Sequence, residues 1–290
     1  MARQFFSINR WLRWSSQFGC FAFARIGIFR KLPGDLHWNV PRSELIFPFF
    51  NCQGCELAWA GCPIGMFQVY LIQRRFPFYL IGMTLLSAAV LARFVCGWLC
   101  PFGFFLDVLG KFSKGDWRGK VPDWFKYTQY VNLVGAGVLA ILTADIFFSK
   151  YICFTGIIFG VTMYWFTWNH LTLFWLVYHL IQLMFFIFAT YKIGGRFWCF
   201  ALCPYGALLS LFNRVSIFKL RWHQPSCTQC GNCVAVCPME CDPKGLPKRI
   251  DQLNCMRCGE CVNVCPHNCL SIQADIPDLP ENPFARRTRT

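Results

Sequence analysis

Apolar residues fall in long runs up to about residue 222, and the runs then stop. Four stretches read as membrane-length helices. Trp11–Phe29 is interrupted by Gln17 and Arg25, whereas Phe76–Ala92 is uncharged and bounded by Arg75 and Arg93. Thr128–Ala144 is the third, and Tyr151–Tyr191 carries no charge at all. At ~1.5 Å per residue that last stretch would make about 60 Å of helix, twice the apolar thickness of a bilayer, so it must fold back or cross twice. The pattern predicts a mainly α-helical integral membrane protein, with about four transmembrane helices plus a re-entrant segment at Tyr151–Trp168.

Charge refines this picture. Lys111, Lys114, Arg118, Lys120 and Lys126 separate the second and third stretches, and Lys192, Arg196, Arg214, Lys219 and Arg221 follow the fourth. Basic loops stay in the cytoplasm, so the chain is expected in a bacterial inner membrane, multi-pass, with its C-terminal part on the cytoplasmic side. The loop from Arg30 to Arg75 falls on the opposite face despite its five basic residues. Only 14% of the residues are charged against ~25% in a soluble chain, and 56% are hydrophobic. The net charge of +14 flanks apolar runs and forms no nucleic-acid motif, so no nucleic-acid partner is expected.

Cysteine carries the chemistry. There are 19, an odd number poorly suited to a disulfide framework and better suited to thiolates that bind metal. "CTQCGNCVAVCP" at 227–238 and "CMRCGECVNVCP" at 255–266 both read Cys-x2-Cys-x2-Cys-x3-Cys-Pro. This spacing wraps three thiolates around one [4Fe–4S] cube and sends the fourth to the other. The expected sets are Cys227, Cys230, Cys233 and Cys265, and Cys255, Cys258, Cys261 and Cys237. Zinc is the competing metal, but zinc ribbons use paired Cys-x2-Cys rather than two complete runs. Cys241 and Cys269 repeat a further three-residue gap and are expected to be spare. The domains follow: membrane domain 1–222, α+β two-cluster ferredoxin-like domain 223–274, and flexible tail 275–290.

Two further motifs close apolar runs: "RFVCGWLCPFG" at 93–103 and "RFWCFALCPYG" at 196–206. With the ferredoxin runs, they resemble the NapH type of membrane ferredoxin, a subunit of quinol dehydrogenases. The polyferredoxin part of nitrous-oxide reductase regulators is similar. The resemblance implies electron transfer between the quinone/quinol pool and partner redox subunits, ferredoxin-like or cytochrome, within an oxidoreductase complex in membrane lipid. Its cofactors would be two [4Fe–4S] clusters, with one or two more possible, and quinol. A membrane polyferredoxin acting in metalloenzyme assembly is the alternative.

Spacing places Cys96 and Cys100 on one helix face, and likewise Cys199 and Cys203. Three readings fit these four thiols: a third cluster, a redox-active pair, or buried cysteines that shape the bundle. Arg93 and Arg196 either supply charge to thiolates or snorkel to lipid headgroups. "NCQGCELAWAGCPIG" at 51–65 shares the Cys-Pro-x-Gly ending. With Cys153, its Cys52, Cys55 and Cys62 form either an outer-face site or a local disulfide. His170 and His179 are expected to line a quinol pocket or sit at the interface. No residue is assigned a catalytic role.

Overall fold

A computed structural model describes residues 10–24, 62–156 and 173–274, apart from 114, 116, 118, 146–147, 195, 245 and 247. The described chain is mostly helical with one two-stranded sheet. Helices α1 (Arg10–Ala24), α2 (Pro63–Ile72), α3 (Phe78–Val90), α4 (Phe94–Trp98), α5 (Pro101–Lys111) and α6 (Thr128–Thr143) precede α7 (Leu173–Ile193). Two short helices follow, α8 (Phe197–Ala201) and α9 (Pro204–Leu211). The C-terminal unit runs β1 (Phe218–Trp222), α10 (Asn232–Val236), α11 (Arg249–Asn254), α12 (Glu260–Asn263) and β2 (Leu270–Ala274).

The expectation of about four transmembrane helices and a re-entrant segment is overturned. Among the described residues no helix is long and apolar enough to cross a membrane. The second and third apolar runs each form one helix, but a short one. α3 stops after 13 residues and the chain turns at Ala92, whose φ is +45°. α6 stops after 16 at Ala144, with φ +50°. At ~1.5 Å per residue these are about 20 and 24 Å, short of a ~30 Å apolar layer. α1 has 15 residues; α7, the longest at 21, carries His179, Gln182 and Lys192. Most of the supposed re-entrant piece lies outside the described residues; its start forms one wide turn, Phe148–Ile152. α6 and α7 still show an apolar exterior, including Val131, Val134, Ile141, Leu142, Ile181, Met184 and Phe185. Faces of this kind mark contact surfaces.

One core runs from the helices into the C-terminal unit. Phe102, Phe154, Phe186, Phe197 and Trp198 form its aromatic centre, and Met239, Met256 and Cys258 belong to the same cluster. Phe154 meets Phe186 at 4.4 Å and the Trp198 ring edge-on at 4.7 Å. β1 and β2 pair antiparallel, Phe218 opposite Ala274 and Trp222 opposite Leu270, closing the C-terminal unit on itself.

That unit is an internal duplication with an offset of 28 residues. Left-handed backbone recurs at Gln229 and Arg257, at Gly231 and Gly259, and at Glu240 and Asn268. Gly259, with φ +83°, turns the chain from Cys258 into α12. A Cβ there costs roughly 1–2 kcal/mol in left-handed backbone. Gly259→Ala should lower the unfolding free energy by about that amount while leaving iron content unchanged, measured by denaturant titration of protein prepared without oxygen.

Candidate iron–sulfur sites

The paired motifs are built alike. In each, a five-residue helix ends just before the second cysteine, and Cys-Pro starts the next helix. Cys100 caps α5 with φ −74° and ψ 115°, and Cys203 caps α9 with φ −72° and ψ 111°. Proline suits the following position because the first helical N–H needs no partner and φ is already set. Cys62-Pro63 starts α2 in the same way, with φ −71° and ψ 132°. The expectation that each cysteine pair shares one helical face is therefore corrected. Cys96 and Cys199 sit on short helices, while Cys100 and Cys203 stand at the break. The break still serves the site, because all four cysteines line one small cavity with Val95, Phe102, Tyr205 and Gly206.

The arginines are exchanged between the motifs. Arg93 donates from Nε to the Gly206 carbonyl at 3.1 Å and from Nη1 to the Cys199 carbonyl at 3.3 Å. Arg196 donates from Nη1 to the Cys96 carbonyl at 2.9 Å. Its Nε and Nη2 grip both oxygens of Asp107, each at 2.7 Å. Arg93 Nη2 meets the Gln129 side chain, whose Nε2 donates to Asn254 Oδ1 at 2.9 Å. Both guanidinium groups are buried, Arg93 at 0% and Arg196 at 1% exposure. The snorkelling reading is excluded, and the arginines are internal struts. Gly103 admits this arrangement, since a Cβ there would lie 2.7 Å from Arg196 Nη1 and 3.0 Å from the Cys96 carbonyl.

Burial dominates the thiols. It pushes Cys96 up to about 12 against the pull of Arg93, and Cys199 to about 11 against that of Arg196. Burial, reinforced by Cys199, also raises Cys203 well above the usual range. Unliganded thiols with such values stay protonated and are poor nucleophiles, which counts against a reactive thiol pair. Thiolates here need compensation from metal, with the two buried cations close by.

In the C-terminal unit, Cys227, Cys230, Cys233, Cys265 and Cys269 line one cavity, and Cys237, Cys241, Cys255, Cys258 and Cys261 line another. These groupings contain the two sets expected from the spacing, each with one extra cysteine. Cys269 Sγ lies 3.1 Å from Cys265 Sγ. Burial raises Cys258 to about 12, opposed by Arg13. Among the described residues no three His, Cys, Asp or Glu side chains draw together tightly enough for a single metal ion. The cysteines ring small spaces instead. An all-thiol donor set around a space fits a cube held by four cysteines.

The C-terminal unit is pressed against the paired motifs. A Cβ at Gly97 would lie 2.9 Å from the Met256 carbonyl and 3.7 Å from Cys258 Cα. Trp98 Nε1 donates to the Arg257 carbonyl at 3.3 Å, and Arg257 Nη1 donates to Asn213 Oδ1 at 2.6 Å. Asn213 Nδ2 in turn reaches the carbonyls of Gln252 at 2.7 Å and Cys255 at 2.9 Å. Phe94 stacks on Phe218 at 4.6 Å. Sequence reasoning missed Asn213, Gln129 and Asp107. They are single polar residues beside apolar runs, and nothing local marks them as partners of a distant segment.

Cys62 and Cys153 are buried in the apolar core, whereas Cys52, Cys55 and His170 lie outside the described residues. His179 is half-buried on α7, and its Nδ1 lies 3.3 Å from Gln182 Oε1. Burial lowers its pKa, while the Gln182 contact opposes this.

Comparison with known proteins converges on the same segments. A family model described as a 4Fe-4S binding domain matches residues 76–120 and 176–223, the two stretches that contain the paired motifs. A second, described as a 4Fe-4S dicluster domain, matches 219–266. An uncharacterised protein of Methanocaldococcus jannaschii is 29% identical over 66% of this chain and 69% of its own. YccM of Escherichia coli, named as a proposed electron transport protein, is 26% identical over 55% of this chain and 45% of its own. The methylamine utilization ferredoxin-type protein MauN of Methylobacillus flagellatus is 26% identical over 50% of this chain and 48% of its own. The chain thus spans about half the length of the two named relatives. No solved structure matches. The chain carries ferredoxin-type 4Fe–4S domains and is similar to proteins named for electron transport or as ferredoxin-type; these matches do not single out the NapH type.

Proposed function

We propose that the chain is an electron-transfer protein with three iron–sulfur stations in line. The outer station would be held by Cys227, Cys230, Cys233 and Cys265, the middle one by Cys255, Cys258, Cys261 and Cys237, and the inner one by Cys96, Cys100, Cys199 and Cys203. Clusters of this type accept and release single electrons. The observation that carries the reading is the packing of Gly97 against Met256 and Cys258, which sets the backbone of the paired motifs against the loop of the middle station. Arg93 and Arg196 supply buried positive charge beside four thiolates, and Val95, Phe102 and Tyr205 keep water from them. Cys230 is exposed, which suits the outer station as the contact point for a redox partner.

A quinol is the donor proposed for the inner end. The resemblance of the paired motifs supports it, as does His179, which burial disposes to stay neutral. A neutral imidazole can accept a hydrogen bond from a quinol hydroxyl.

Iron counting tests the number of stations. Protein prepared without oxygen should hold about twelve irons per chain, four for each cube. Cys100→Ser and Cys203→Ser should each lower this to about eight, leaving the C-terminal clusters visible by electron paramagnetic resonance. About eight irons in the parent protein, unchanged by either substitution, would remove the inner station. A soluble quinol analogue should reduce the parent and not the Cys100→Ser variant; equal reduction of both would place electron entry elsewhere.

A further inference from the structure

Each C-terminal cysteine cavity holds one sulfur more than a cube needs. Cys269 lines the outer one and Cys241 the middle one. The same turn, Cys-Pro-x-x-Cys, places both. The Asn268 N–H donates to the Cys265 carbonyl at 3.4 Å, and the Glu240 N–H to the Cys237 carbonyl at 3.2 Å. Asn268 and Glu240 turn left-handed, with φ +50° and +51°, and the next residue is the fifth cysteine. Left-handed backbone is unfavourable for residues with a side chain, yet both copies adopt it.

In the outer cavity the turn produces a direct contact between sulfurs. Cys269 Sγ lies 3.1 Å from Cys265 Sγ. A disulfide would bring them to ~2.05 Å, so this is a thiol set against a second sulfur. Cys269 is buried, and its carbonyl accepts from the His223 N–H at 2.8 Å, which ties its backbone to the end of β1. Leu270 and Val262 pack around it. The contact is therefore held from both sides of the turn. In the middle cavity the Cys241 thiol also has a backbone acceptor, the Met239 carbonyl at 3.5 Å.

We propose that Cys269 is a positioning residue that donates a thiol hydrogen bond to Cys265 and thereby raises the reduction potential of the outer station. A buried thiol that binds no metal keeps its proton at neutral pH, whereas a cysteine on iron is a thiolate. The S–H is a weak donor, and the thiolate is the acceptor it faces. Reduction adds negative charge to the cube and its sulfurs, so the bond is stronger in the reduced state. Hydrogen bonds to the sulfurs are among the features that set the potential of such a cluster. Electrons entering at the inner end would then be drawn towards the exposed Cys230. The inference rests on the proposed assignment of Cys227, Cys230, Cys233 and Cys265 to one cluster.

The test is a redox titration of the intact, cluster-loaded protein followed by electron paramagnetic resonance, with iron counted on the same samples. The outer signal is the one lost in Cys230→Ala. Cys269→Ala should keep its iron and lower the outer midpoint potential, by up to about tenfold in the redox equilibrium, or ~59 mV for one electron. Cys269→Ser supplies a hydroxyl donor and should bring the midpoint back to the parent value or above it. Cys241→Ala, in the other cavity, should leave the outer midpoint in place. An unchanged outer midpoint in Cys269→Ala with iron intact overturns the hydrogen bond. So does an equal fall in Cys269→Ser or in Cys241→Ala. Loss of about four irons from Cys269→Ala and none from Cys265→Ala would overturn the ligand assignment itself, and the proposal with it.

Discussion

Replacing Arg196 with leucine should cost the folded protein about 3–5 kcal/mol, the usual penalty for removing one partner of a buried ion pair. The loss comes from what remains. Asp107 is 9% exposed at its side chain and would keep only the single contact from Arg13. The Cys96 carbonyl would lose its donor as well. Denaturation midpoints of the cluster-loaded protein measure the change, and iron analysis should show depletion confined to the paired motifs. Removing Asp107 in the same chain should restore part of the stability, because the stranded charge is then gone. A shift below about 1 kcal/mol would mean that water reaches Asp107 and that the exchanged arginines are not struts.

Gly97→Ala and Gly82→Ala should have opposite signs. Both glycines are helical, and alanine favours a helix interior by about 1 kcal/mol. Nothing lies within 4 Å of a Cβ at Gly82, so that substitution should be neutral or stabilising. At Gly97 the added carbon meets the Met256 carbonyl at 2.9 Å, a backbone atom that cannot rotate aside. Overpacking of this kind costs about 1–3 kcal/mol. The strain falls on the seam between the paired motifs and the middle cysteine group. Gly97→Ala should therefore also slow electron passage across it, measured by rapid mixing with a quinol analogue while iron content stays constant. If both substitutions stabilise, the seam has slack and Gly97 has no role in docking.

The paired motifs show where reading the sequence stopped short. Arg-Phe-x-Cys-x3-Cys-Pro-x-Gly is visible as a repeat, and the arginine and glycine are visible as constants. Their purpose is not, because each arginine serves the other copy: Arg93 reaches Gly206 and Arg196 reaches Cys96, contacts between residues about a hundred positions apart. The error over helix length has another cause. Hydropathy placed the ends of the second and third runs at Ala92 and Ala144, where the backbone turns left-handed, but the helices within them have only 13 and 16 residues, too few to cross a bilayer.

By itself the sequence determined what is chemically local. Cysteine spacing within a dozen residues groups three thiols of each ferredoxin run, Cys-Pro marks the starts of α2, α5 and α9 though it starts no helix after Cys237 or Cys265, and the 28-residue offset repeats the turn chemistry of the C-terminal unit. Covalent chain length controls these features, and neighbours in sequence are neighbours in space. Only the tertiary structure decided how the two arginines are used, that Gly97 lies against the Met256 carbonyl, and that Arg13 Nε and Nη1 and Trp14 Nε1 are buried without a partner. Burial creates each of these properties: a guanidinium, a glycine or an indole acquires its role only when distant segments exclude water around it.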